Sequence, residues 1–152
     1  MAKGKQVIYV GPADGANHKP LHIEGVCTEA CLPGAVLDFA AASAGFELMD
    51  DAATVFGKPL MVAEKDSMRQ KSVSDQWIVD ENMVAIQPRS GERLNVLVVT
   101  AQALVRGTPL TRSAVTPGAL VIAATDGTEE ILCYADEIVT TTATQLVRVK
   151  VA

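Results

Sequence analysis

Three cysteines, two histidines and a few adjacent carboxylates are the residues with reactive chemistry to offer in this chain of 152 residues. Cys27 and Cys31 stand in a C-x3-C spacing, and His18 and His22 in H-x3-H, side-chain types that together can hold zinc. In extended structure, however, residues four apart lie roughly 13 Å apart. The expectation is therefore no metal and three reduced thiols, Cys133 included, that behave as small hydrophobes. A nucleophilic thiolate needs an electropositive setting, whereas Glu24 and Glu29 stand beside this pair. A Ser/His/Asp triad would have only His18 and His22 to draw on, both near the N-terminus, and no Gly-x-Ser-x-Gly elbow is present. Asp50-Asp51 and Glu129-Glu130 are neighbours that point apart in a strand or loop, which makes them poor acid/base partners. Glycines occur singly, so no phosphate-cradling loop is formed. No catalytic residue and no cofactor are expected.

The residues that stand out for contact rather than catalysis are Lys65, Arg69 and Lys71, three cations within seven positions with Asp66 among them. They lie on a stretch between Ala63 and Trp77 whose apolar residues are too sparse to hold a helix against a core. The bland alternative is a solvated loop. The functional one is a surface that meets an acidic partner. Trp77 borders this loop and is the only tryptophan; such a residue is either a core anchor or an interface anchor. Tyr9, in the β-capable centre of the N-terminal segment, joins the candidate partner-binding residues.

The elements that must position these residues read as strands. "QLVRVKVA" alternates at the end of the chain, with Val147, Val149 and Val151 on one face and Leu146, Arg148 and Lys150 on the other. "ERLNVLVVTAQALV" is a longer β-rich run, "KQVIYVG" a shorter one. Turn signals fall at short intervals: Gly11-Pro12, Pro33-Gly34, Gly57, Ser90-Gly91, Gly107, Pro117-Gly118 and Asp126-Gly127. Lys19-Pro20-Leu21, Lys58-Pro59-Leu60 and Thr108-Pro109-Leu110 read as strand starts, where proline forfeits no ladder hydrogen bond. Helix is confined to a turn or two from Asp50 to Phe56. The spacing predicts an all-β single domain, a β-sandwich or β-barrel of many short antiparallel strands. An extended N-terminal arm (1–18) would precede the β-rich domain (19–152). Leu32-Pro33-Gly34-Ala35-Val36-Leu37 echoes Thr116-Pro117-Gly118-Ala119-Leu120-Val121. That is either one hairpin written twice, giving two layers that pack on each other, or chance similarity of two hairpins.

Composition narrows the partners. Apolar residues make up 49% of the chain but aromatics only 4%, so the core must be built of Val, Leu, Ile and Ala, with oligomer contacts as a supplement. A net charge of −5 argues against nucleic acid, which needs a concentrated basic face. No apolar run approaches the roughly 18 to 20 residues of a membrane-spanning helix, and the N-terminus lacks a signal peptide's apolar region. A soluble protein made in a cytoplasm is expected.

In order along the chain, "NHKPLHIEG", "CLPGAVLDF", "FGKPLMVAEKD", "GERLNVLVV", "ALVRGTPLTRS" and "QLVRVKVA" resemble the small decoration, or cement, proteins of tailed-bacteriophage heads over roughly residues 17–152. The resemblance implies a mostly-β, non-catalytic structural protein that sits as an oligomer, a homotrimer or else a dimer, on the outer capsid surface of the virion. There it would clip neighbouring major capsid protein subunits. A β-rich ligand- or glycan-binding module contacting the host surface is the alternative, and a small hydrolase on a β-barrel a further one.

Overall fold

Val147, Val149 and Val151 are buried, as their alternation predicts, because the last strand, β13 (Gln145–Val151), lies against β7 (Arg93–Val98) in antiparallel register from Gln145↔Val98 to Lys150↔Arg93. The computed structural model describes residues 5–12, 20–41, 43–50, 59–125 and 127–152. Among them every regular element is a strand, so the all-β fold stands. Apart from Asp50, the helical turn expected from Asp50 to Phe56 lies outside the described residues, as does His18.

The other strands are β1 (Tyr9–Gly11), β2 (Leu21–Cys27), β3 (Val36–Phe39), β4 (Gly45–Leu48), β5 (Met61–Ala63), β6 (Asn82–Gln87), β8 (Ala103–Leu104), β9 (Pro109–Arg112), β10 (Leu120–Ile122), β11 (Cys133–Ala135) and β12 (Val139–Thr140). Pro20 and Pro109 do stand at strand starts, before β2 and as the first residue of β9. Within the segment 1–18, the described residues 5–12 contact β7. Ile8 is fully buried, Asn95 N donates to Ile8 O at 2.7 Å and Asn95 Nδ2 to Val7 O at 2.7 Å. Tyr9 pairs with Leu94 on the edge of β7.

Strands β2, β4, β3, β5 and β6 close into a barrel. All its pairs are antiparallel except β2 with β4. The second sheet contains the order β7-β10-β9-β11-β13 and returns from β13 to β7. Again all pairs are antiparallel but one, β7 with β10. Both rings therefore connect their five strands, numbered along the chain, in the order 1-3-2-4-5, with the parallel pair between first and third. One correction to the sequence expectation is that the strands are not all antiparallel.

The two rings match bond for bond. Ala63 N donates to Ala35 O and Ala135 N to Thr108 O, both at 2.9 Å; Ala40 N to Gly45 O and Ser113 N to Ala119 O, both at 2.9 Å; Thr28 N to Phe46 O and Val99 N to Leu120 O, both at 2.9 Å. Even the cross-link outside the ring recurs. Cys31 bridges antiparallel to Trp77 in the first half, and β8 pairs with β12 at the corresponding place in the second. In this register Cys27, Leu37, Phe46, Met61 and Met83 correspond to Val98, Leu110, Leu120, Cys133 and Val147, and all ten are buried.

The chain is thus an internal duplication, but not in the register its sequence echo suggests. The counterpart of Leu32-Pro33-Gly34-Ala35 is Val105-Arg106-Gly107-Thr108. Both turns close by an i+3 to i bond (Ala35 N to Leu32 O, 3.0 Å; Thr108 N to Val105 O, 3.1 Å), both place glycine at φ 87°, and Gly34 N and Gly107 N bond Ala63 O and Ala135 O at 2.8 Å each. Pro117-Gly118 is a turn of the same kind before the third strand of its ring, not the second. The two Pro-Gly turns instead meet between the rings. Gly118 O accepts from Val36 N at 2.8 Å, and Gly118 N donates to Met49 O at 2.9 Å. A Cβ on Gly118 would come within 3.4 Å of Ala35 Cβ and 2.6 Å of Leu48 Cδ2. One buried cluster runs through this junction, joining Val36, Met49 and Ile86 of the first half to Leu94, Leu120 and Val147 of the second.

Candidate functional site

Four of the residues singled out in the sequence converge on one side of the first ring. After β5 the chain turns at Glu64, Lys65 and Asp66. Trp77, returning towards β6, is tied down by Trp77 N to Cys31 O at 2.8 Å and by its indole Nε1 to Glu64 O at 2.7 Å. Beneath this turn lie His22 of β2 and Val84 of β6; the N-terminal strand closes the other side with Tyr9. Together they line an open cavity of about 360 Å3 whose rim carries Met68.

Trp77 is only 4% exposed and belongs to the barrel's core cluster. Of the two readings, core anchor or interface anchor, this burial is that of a core anchor. Its donor satisfied and its ring packed, the indole holds the loop to the barrel. Tyr9 is half-buried and its hydroxyl donates to Glu92 Oε1 at 3.2 Å; burial and the Glu92 carboxylate push its pKa up.

The basic trio is drawn into local contacts. Arg69 pairs with Glu81 and places Nε 3.3 Å from Asp66 Oδ2, while Lys71 Nζ lies 3.9 Å from Glu81 Oε2. Lys65 Nζ donates to Gln6 O at 3.4 Å. Arg69 and Lys71 are thus paired with Asp66 and Glu81, while Lys65 turns to a backbone oxygen. The sequence signal for Glu81 was absent because it lies a dozen positions from Arg69 along the chain. Asp66 is nearly buried and organises the turn: its Oδ1 accepts from Arg69 N at 3.1 Å and its carbonyl from Lys71 N at 3.0 Å. Backbone donation from Ile78 N, then the Arg69 bond, holds the Glu81 carboxyl below its ordinary range. Glu64 is shifted the other way, raised chiefly by burial.

The thiol pair is closer than an extended chain allows. The turn at residues 28–30 folds Cys31 back, so the sulfurs lie 4.0 Å apart, which corrects the separation expected from strand geometry. Burial raises both thiols' pKa values. Among the described residues no group of three His, Cys, Asp or Glu is placed to hold a metal ion. His22 is exposed, on the cavity side.

A second open cavity, about 430 Å3, lies on the other ring beside Arg106, Tyr134, Asp136 and Lys150. No helix among the described residues is long and apolar enough to cross a membrane. No protein-family model and no curated protein matches the chain.

Proposed function

We propose that the chain is a non-catalytic structural protein of the virion, assembled in the host cytoplasm, that docks as a homo-oligomer on the outer surface of a tailed-phage head and ties neighbouring major capsid protein subunits together. The observation that carries this reading is the character of the loop from Glu64 to Glu81. It exposes Met68 (95%), Ile78 (57%) and Val79 (51%) on a loop whose cations Lys65, Arg69 and Lys71 are outnumbered by the carboxylates Glu64, Asp66, Asp75, Asp80 and Glu81. Apolar side chains held outward on a firmly anchored loop suit a protein contact, since leaving them in water gains nothing for the fold. The loop's base is fixed by Trp77 and Asp66, so little ordering cost would be charged against binding. The ordered series of motifs that resembles head-decoration proteins supports the same reading. The partner surface it suits is apolar and mixed in charge, rather than acidic.

The test is cryo-electron microscopy of heads of the encoding phage, purified with and without the chain. Added protein should return as density on the outer surface, and light scattering of the free chain should give a multiple of 16.0 kDa, three-fold for a trimer. Heads that bind none of the added chain would overturn the proposal.

A further inference from the structure

The duplication supplies a comparison within one molecule. By strand register, His22, Glu64 and Val84, which line the cavity of the first half, correspond to Arg93, Asp136 and Arg148. The backbone bond that fixes this correspondence is the same in both: Glu64 N to Val84 O and Asp136 N to Arg148 O, each 2.9 Å. In the second half the carboxylate is paired from within. Arg93 Nε and Arg148 Nε each lie 3.1 Å from Asp136 Oδ2, and Arg148 Nη2 donates to Asp136 O at 3.0 Å. In the first half valine replaces Arg148 and histidine replaces Arg93. The carboxylate stays, but the guanidinium groups do not.

What is left there is a receptor with its plug removed. Glu64 Oε1 accepts Lys65 N at 2.9 Å, and among the described residues no cation stands within ion-pairing distance of its carboxylate. Asp66, 7% exposed, also lines the cavity; its Oδ2 has no hydrogen bond, with Arg69 Nε 3.3 Å away. Lys65 is the one ammonium on the wall, and it reaches to Gln6 O. Half-buried Tyr9 supplies aromatic wall of the kind on which a planar cation rests, while Trp77, 4% exposed, adds little open face. A guanidinium matches a carboxylate with paired donors in a way an ammonium does not.

We propose that this cavity binds an arginine side chain presented by a protein partner, whose guanidinium pairs with Glu64 as that of Arg148 pairs with Asp136 in the second half. The inference goes beyond the proposed function, because it holds whichever protein carries the arginine. The experiment is a two-dimensional amide NMR titration of the full chain with the capped tripeptide acetyl-Gly-Arg-Gly-amide and with its neutral citrulline counterpart. Saturable shifts are expected at the Trp77 indole N–H and the amides of residues 64–66, with the citrulline peptide bound about tenfold more weakly. Glu64→Gln, which keeps the shape, should weaken arginine binding about fivefold or more. Val84→Arg with His22→Arg rebuilds the second half's arrangement and should abolish it. Equal response to both peptides, shifts that map elsewhere, no saturation, or undiminished binding by Glu64→Gln would each overturn the proposal.

Discussion

At the scale of single residues, burial decides the chemistry more than residue type does. Cys27, Cys31 and Cys133 are 1%, 4% and 0% exposed, and burial alone pushes Cys133 up to about 12. Thiols so placed are neither ionised nor reachable. A thiol–disulfide reagent should therefore titrate none of them in the native protein and all three in denaturant; rapid reaction of one equivalent with the folded chain would contradict this. Two carboxylates make opposite predictions for pH. The Glu64 pKa is raised, mainly by burial, so the native state holds its proton more tightly than the unfolded chain. The stability linked to this group is full below the unfolded carboxyl pKa and is lost as pH rises through the folded value. Glu64→Gln should thus unfold at higher urea than the wild type at pH 7, with the gain vanishing towards about pH 4. The Glu81 pKa is lowered, first by Ile78 N–H and then by Arg69, so its contribution is present above the unfolded pKa and lost as pH falls. Glu81→Gln should lower the urea midpoint at pH 7 and leave it unchanged in acid. Midpoint shifts of the same sign for both variants would show that the pair's environments have been misassigned.

At the scale of elements, each ring solves one packing problem with different volumes. In the first ring Phe46 fills the centre, and Gly25 on the neighbouring strand leaves it room: a Cβ there would lie 2.7 Å from Phe46 Cε2. In the second ring the corresponding residues are Leu120 and Val96, a smaller centre with a larger flank. Gly25→Val should overpack the first ring and cost about 2 kcal/mol. Phe46→Leu, which vacates volume, should cost about 1 kcal/mol on its own. Combined, the two recreate the pairing of the second ring, and the double variant should be more stable than the sum of the single losses predicts. Strict additivity in chemical denaturation would disprove direct contact. This exchange also shows why the duplication was hidden in the sequence. Strand alternation in "QLVRVKVA", the proline strand starts and the turn signals were legible, because each depends on a few local residues. The repeat was not, since equivalent positions share burial and register but rarely residue type; "LPGAVLDF" and "VRGTPLTR" align with little more than one Gly and one Leu in common. The visible echo at Pro117-Gly118 came from a turn that any x-Pro-Gly-x stretch can form. Of the site, Lys65, Trp77, Tyr9 and His22 were visible by type, whereas Glu64 and Val84 gain meaning only from the matching half.

At the scale of the whole molecule, the two rings are alike in topology but not independent in energy. Each spans roughly 60 residues, a length at which a lone β-barrel is marginal because so much of its surface stays in water. The larger buried cluster belongs to neither ring: Val36, Met49 and Ile86 of the first pack with Leu94, Leu120 and Val147 of the second. The backbone also crosses between them, with Leu97 N donating to Gly34 O at 2.9 Å and Val36 N to Gly118 O at 2.8 Å. Opening one ring would strip the apolar cover from the other and orphan these bonds, so partial unfolding costs nearly as much as unfolding the whole. We therefore expect a single cooperative transition. Trp77 lies in the first ring alone and reports on it by fluorescence, while far-ultraviolet circular dichroism sums strands from both. Their urea transitions should superimpose with the same midpoint and slope. A fluorescence transition at lower urea than the dichroism would mean that the first ring melts while the second persists, and that the shared cluster does not bind the halves into one folding unit.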